Sequence, residues 1–298
     1  MMTNVEPPSS SSSLRPASAG AACCAWLLLL CASASAQIVP SAATTTSAAP
    51  AHWQLAWSDE FNGPDGAPPD AAHWVFDQGG GGWGNQELES YTRRTQNAEQ
   101  RGGYLVLTAR KEEFTGSDGR AMHYTSARLR TQGLFAQTFG RVEARMQLPL
   151  GKGIWPAFWM LGSNIGQVNW PASGEIDIME NIGDAHTVYS TIHGPGYSGA
   201  KGISAPFHLP ADQRVDSGFH VYAVEWAPND LRFFLDDHLI VERTPADLPA
   251  GATWVYNRPF FLILNVAVGG GWPGNPDQTT RFPQQMRIDY VRVYNRVP

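Results

Sequence analysis

Glu175-Ile176-Asp177-Ile178-Met179-Glu180 places three carboxylates within six residues of a run that is otherwise apolar and strand-like. Ile and Met at this density belong in a sheet core, yet burying a carboxylate without a partner is costly. The flanks are aromatic and rich in glycine: GIWPAFWMLGSN at 153–164 and TIHGPGYSG at 191–199. Like charges gathered in a cleft are a means of separating pKa values for acid and base work. The alternative, an exposed edge strand with its acids in water, leaves the dense Trp and Gly around the hexapeptide unexplained.

The spacing adds a constraint. Side chains alternate along a strand, so Glu175 and Asp177 share a face while Glu180, five residues on from Glu175, falls on the other. Glu180 joins them only if one extra residue is accommodated. A β-bulge is therefore expected between Asp177 and Glu180, with Met179 as the extra residue, since bulges often re-aim side chains beside active sites.

The N-terminal 36 residues read as a secretory signal peptide. Arg15 precedes the apolar stretch from Ala21 to Ala32, and Ala34-Ser35-Ala36 fits a small-residue cleavage site before Gln37. The protein is thus expected to be secreted and extracellular. Cys23, Cys24 and Cys31 all lie in this segment, so the mature chain would carry no disulfide. Residues 37–51 read as a flexible lead-in, and 52–298 as one domain of about 250 residues, long enough for a single large core. No second apolar run approaches membrane-spanning length, so no membrane association is expected after signal removal. The net charge of −6 with scattered basic residues argues against nucleic acid as a partner. Eleven Trp and thirty Gly point instead to a stacking surface held by tight loops.

Helix signals are scarce. Short β-like stretches recur between Gly, Pro, Asn and Asp, among them 140–148, 157–161, 187–193, 220–227, 230–235, 260–268 and 285–294. The segment from Arg141 to Leu148 is apolar at every second residue, as a half-buried strand requires. Asp236-Asp237 between two such stretches reads as a hairpin turn. The expected class is all-β, a sandwich rather than a βαβ arrangement.

Longer motifs carry a family resemblance. WSDEFNG (57–63), WGNQELESYT (83–92), GRVEARMQLPLGKGIWPAFWMLG (140–162), GEIDIME (174–180), HGPGYSG (193–199), YAVEW (222–226), LNVAVGGGWPG (264–274) and MRIDYVRVY (286–294) span nearly all of residues 53–294. Through them the chain resembles glycoside hydrolase family 16, and most of all its bacterial laminarinase (endo-β-1,3-glucanase) branch. The resemblance implies a concanavalin A-like β-jelly-roll sandwich of two antiparallel sheets with a concave substrate cleft. It also implies retaining endo-hydrolysis of β-1,3-glucosidic bonds in laminarin-like glucans by a monomer that needs no catalytic cofactor. Mixed-linkage β-1,3-1,4-glucanase activity and a non-catalytic β-glucan-binding role are the alternatives.

By the same resemblance Glu175 is the nucleophile, Glu180 the general acid/base and Asp177 the assisting carboxylate between them. Retaining glycosidases use two carboxyls about 5–5.5 Å apart, one attacking the anomeric carbon and one protonating the leaving oxygen. His193 is placed to hydrogen-bond the acids or to serve structure alone. Trp155, Trp170 and Trp272, each beside Gly or Pro, are expected on loops or rims where a ring can stack on a pyranose. Trp159, inside an apolar strand, is a weaker candidate platform. Asn85 and Glu87, after Gly79-Gly80-Gly81-Gly82, resemble residues of the family's negative-subsite loop. A structural calcium ion, with Asp289 as side-chain ligand and carbonyls near Glu60 and Gly103, is implied only by the resemblance.

Overall fold

The computed structural model describes residues 52–297; the expected signal peptide and lead-in lie outside the described residues. Seventeen strands follow in chain order. They are β1 (His52–Asp59), β2 (Val75–Phe76), β3 (Glu89–Tyr91), β4 (Ala98–Gln100), β5 (Leu105–Thr115) and β6 (Ala121–Ser126). Next come β7 (Arg128–Arg130), β8 (Gly140–Gln147), β9 (Ile154–Gly162), β10 (Glu175–Glu180), β11 (Thr187–His193) and β12 (Ile203–His208). The last are β13 (His220–Ala227), β14 (Asp230–Leu235), β15 (His238–Arg243), β16 (Phe260–Val268) and β17 (Gln284–Val297). One four-residue helix, α1 (Ile165–Val168), interrupts them. Among the described residues no helix is long and apolar enough to cross a membrane.

The strands form two sheets. The larger runs β15-β14-β13-β8-β17-β5-β6-β3, with β1 added to β17 and β4 to β5; the smaller runs β12-β11-β10-β9-β16-β7-β2. Pairing is antiparallel throughout, apart from the short parallel contact of β3 with β6. This is the expected jelly-roll sandwich. The strand β8 has the expected alternation: Val142, Ala144 and Met146 are fully buried. Glu143 is buried as well, and its charge is met by Arg141 Nε at 2.7 Å and the Tyr294 hydroxyl at 3.2 Å. Asp236 turns the β14–β15 hairpin in the left-handed region (φ 52°).

β16 explains why one run of sequence is continuously apolar. All nine of its residues are buried. Phe260, Leu262, Leu264, Val266 and Val268 enter the core between the sheets, while Phe261 and Ile263 join Leu161 in a smaller cluster on the opposite face. Asn265 and Ala267 continue that face into a cleft. The smaller sheet is therefore covered on both sides, which two-sided apolar strands require.

The bulge lies where parity demands it, with one correction. Against β11, Asp177 pairs with Thr191 and Glu180 with Tyr189, so Ile178 and Met179 together oppose Ser190. Against β9, Met179 pairs with Phe158, and Ile178, not Met179, is the residue left unpaired. Both Ile178 and Met179 enter the core. The carbonyl freed at Ile178 accepts the Ser190 hydroxyl at 2.9 Å, so the irregular backbone keeps a partner.

Candidate active site

Glu175, Asp177 and Glu180 come together on the outer face of β10, in a cleft of about 320 Å³. Asp177 is 2 % exposed and Glu180 9 % exposed, whereas Glu175 keeps 17 % of its side chain open. Two indoles bind the two glutamates. Trp170 Nε1 donates to Glu175 Oε2 at 2.7 Å, and Trp155 Nε1 donates to Glu180 Oε1 at 3.0 Å. Thr191 Oγ1 adds a longer contact to Glu180 Oε2 at 3.4 Å. His193 Nε2 lies 3.2 Å from Asp177 Oδ2 and 3.8 Å from Glu175 Oε1.

All three carboxyls are pushed up from their ordinary range, above all by burial. Glu175 rises to about 8, with Asp177 as the next cause and His193 and the Trp170 bond acting against it. Glu180 rises to about 7, with Glu175 as the next cause and His193, Trp155 and Thr191 acting against it. Asp177, facing Glu180, is raised well above its usual value. Taken singly, these values would strip Glu180 of its proton before Glu175. The donors favour the reverse order: Glu175 has the shorter indole bond and Glu180 the longer contacts. Asp177 also hydrogen-bonds Glu175, so the trio exchanges protons as a unit. The arrangement can hold one bare and one protonated glutamate on the same cleft wall.

The residues expected to stack on or bind the sugar fall into two groups. Asn85, Glu87, Trp155, Trp159 and Trp170 line the cleft. Trp155 sits in β9 rather than on a loop, although Pro156 follows it. Asn181 N–H bonds the Pro156 carbonyl just past the end of β10, so the missing proline N–H faces no strand. Trp159 shares the cleft face and donates its N–H to Asn265 Oδ1 at 2.7 Å. Trp272, 42 % exposed, packs edge-on against Trp155 (5.6 Å) and Tyr189 (4.9 Å) at the rim.

Several site residues were not singled out from the sequence. Arg128 lies between the rings of Trp83 (5.0 Å) and Trp159 (4.7 Å), with Asp77 ion-paired to it at 3.0 Å. Trp83 belongs to the WGNQELESYT motif, which was the available signal; Arg128 lay in no motif. Beneath them a chain of bonds runs from exposed Asn85 to buried Glu87 (3.0 Å), Tyr91 (3.0 Å) and Asn265 (3.2 Å). Glu89 lies behind it, wholly buried, its Oε2 accepting the Val268 N–H at 2.6 Å. Burial and the neighbouring Glu87 hold Glu89 well above the usual carboxylate range.

The calcium implied by the resemblance involves Asp289 and backbone carbonyls near Glu60 and Gly103. Asp289, at the bulge of β17, binds Arg145 Nη1 through Oδ2 at 2.6 Å. Arg145 engages one of the two Asp289 oxygens, and the ion would be structural, away from the chemistry of the cleft.

Comparison with known proteins accords with the geometry. The family model for glycosyl hydrolases family 16 matches residues 85–292. The chain is 44 % identical over 257 residues to a β-glucanase of Rhodothermus marinus, covering 83 % of this chain and 86 % of that protein. It is similar to the laminarinase catalytic domain of Thermotoga maritima, with a TM-score of 0.78, 49 % identity, and coverage of 83 % of this chain and 99 % of that one. It is also similar to the endo-β-1,3-glucanase of Pyrococcus furiosus, with a TM-score of 0.79, 47 % identity, and coverage of 82 % and 95 %. With the sandwich, the bulged acidic strand and these likenesses in agreement, the chain belongs to glycosyl hydrolases family 16.

Proposed function

We propose that this protein hydrolyses internal β-1,3-glucosidic bonds of laminarin-like glucans with retention of configuration. The observation that carries the reading is the bulge that turns Glu180 onto the face of Glu175 and Asp177, each glutamate bound by its own indole donor. Glucan-binding relatives that have lost catalysis lack the catalytic glutamates, and here both are present.

Glu175 attacks the anomeric carbon while Glu180 gives its proton to the leaving glycosidic oxygen. The Trp170 bond occupies Glu175 Oε2 and leaves Oε1 free for attack. The glycosyl ester on Glu175 is then cleaved by water, from which Glu180, now a carboxylate, takes a proton. The Trp155 N–H stabilises that carboxylate form. Asp177 takes up or returns the proton shared with Glu175, so that Glu175 is bare when attack begins. Trp159 and Trp83, with Arg128 between them, supply ring faces along the glycone side.

Mixed-linkage β-1,3-1,4-glucan is the second substrate, since a cleft that holds a β-1,3 stretch accepts occasional β-1,4 bonds. Export through residues 1–36 is part of the same reading, and N-terminal sequencing of protein recovered from the medium tests it. The activity is tested by following products from laminarin, curdlan and barley glucan over time. An oligosaccharide ladder from laminarin with slower attack on barley glucan supports an endo-β-1,3-glucanase. Binding without release from any of the three refutes it.

A further inference from the structure

We propose that Glu175, Asp177 and His193 form a binding site for one borderline divalent transition cation, zinc or copper(II), and that its occupation blocks hydrolysis. The binding stands on geometry alone; the inhibition rests on the glucanase reading.

One ligand atom from each of Glu175, Asp177 and His193 lies within 4.8 Å of the others, and His193 Nε2 faces Asp177 Oδ2 and Glu175 Oε1. The Nε2–Oδ2 distance is 3.2 Å and the Nε2–Oε1 distance 3.8 Å. Ligands about 2.0–2.2 Å from a tetrahedral zinc ion stand about 3.3–3.6 Å apart, so an ion fits between these atoms with small side-chain shifts.

The donor atoms are available. Asp177 Oδ2 is buried and accepts no hydrogen bond, although the side chain is only 3 % exposed. The Asp177 carboxylate favours a proton on Nε2, but His193 Nδ1 has no partner, so an ion that takes Nε2 can leave the ring proton on Nδ1. With the proton on Nδ1, the Nε2 lone pair faces the two carboxylates.

The surroundings hold the ligands in place. A Cβ at Gly202 would stand 2.2 Å from His193 Cε1, so the glycine gives the imidazole its seat. Trp170 fixes the other oxygen of Glu175 at 2.7 Å, the kind of outer support that orients a ligating carboxylate. Glu175 opens to the cleft, which leaves the fourth position to water. Three protein donors that include an imidazole suit zinc or copper(II), whereas calcium takes six to eight oxygens and magnesium a near-octahedral oxygen shell. An ion there ligates the attacking oxygen of Glu175 and fills the space of the sugar ring, so inhibition is competitive with glucan.

The test is titration calorimetry of the purified protein with zinc chloride and copper(II) chloride, with magnesium and calcium chloride as comparators. It is paired with the visible spectrum of added cobalt(II) and with laminarin kinetics. The expected result is one zinc per chain, at least about 10-fold weaker binding in His193→Ala, and a zinc effect on KM that leaves kcat unchanged. His193→Gln, checked by near-UV circular dichroism, replaces the alanine variant if that fails to fold. Equal zinc affinity in native protein and folded variant, or inhibition that lowers kcat alone, overturns the proposal. Zinc binding lost in His193→Ala, in a protein that never cleaves laminarin, upholds the cation site and overturns the glucanase reading instead.

Discussion

Trp155→Phe removes the indole N–H that donates to Glu180, along with part of the ring, and should move the alkaline edge of activity. Glu180 lies at about 7 because burial and Glu175 raise it against the lowering effect of His193, Trp155 and Thr191. The Trp155 N–H bonds Glu180 Oε1 at 3.0 Å and stabilises only the carboxylate form strongly. A hydrogen bond to a charged group contributes about 1.5–3 kcal/mol, and one pKa unit corresponds to about 1.4 kcal/mol. Thr191, at 3.4 Å, and cleft water recover part of the loss, which leaves a rise of about one unit. The sign follows from the role. Glu180 must be protonated for the first step, so activity is present below its pKa and lost as pH rises through it. Raising the pKa therefore carries the basic limb of kcat/KM upward by about one unit. The assay is kcat/KM against pH on laminarin for native protein and variant. Trp272→Phe serves as control, since Trp272 touches the Trp155 ring but not the carboxylates; it should change KM and leave the limb in place. A folded Trp155→Phe enzyme with an unmoved basic limb refutes the reasoning.

Other substitutions test the remaining roles. Glu175→Gln should abolish hydrolysis while leaving folding and glucan binding largely intact, read by reducing-end release and calorimetry with laminarin oligosaccharides. Glu180→Ala should lose about 10²–10⁴-fold in rate and recover part of it with azide, yielding a β-glycosyl azide; an α-product contradicts retention. Glu89→Gln should match the native melting temperature at acid pH and exceed it at alkaline pH. Glu89 is raised on folding, so its stabilising contribution is complete below the unfolded carboxyl pKa and is lost as pH rises toward the folded value, by about 1.4 kcal/mol per unit. Gln keeps an oxygen for the Val268 N–H and loses nothing with pH, so identical melting curves at alkaline pH would count against a buried neutral Glu89.

Alternation made much of the fold legible. The expected strands at 187–193, 220–227, 230–235 and 260–268 coincide with β11, β13, β14 and β16. β2, β3, β4, β6 and β12 lay outside the expected strands; Glu89-Ser90-Tyr91 and Ala98-Glu99-Gln100 are short and polar, and are buried by their neighbours rather than by their own pattern. The bulge followed from parity, since an odd spacing cannot put Glu175 and Glu180 on one face of a regular strand. Which residue is extra did not follow, because Ile178 and Met179 are both apolar and both enter the core. Gly153 and Pro156 made Trp155 look like a loop residue; only the pairing of β9 with β10 and β16 reveals that this proline sits beyond the end of its neighbour. Arg128 acquires its place from Trp83 and Trp159, which are distant in sequence, and no local signal encodes such a stack.

The most direct test of the central claim is to trap the covalent intermediate. A 2-deoxy-2-fluoro laminaribiosyl fluoride slows hydrolysis of the glycosyl ester, so the intermediate accumulates and peptide mass spectrometry locates the attached sugar. The account predicts one adduct per chain, on Glu175, with loss of activity that returns on long incubation with laminarin oligosaccharide. An adduct on Glu180, or none while laminarin is turned over at the normal rate, would contradict it.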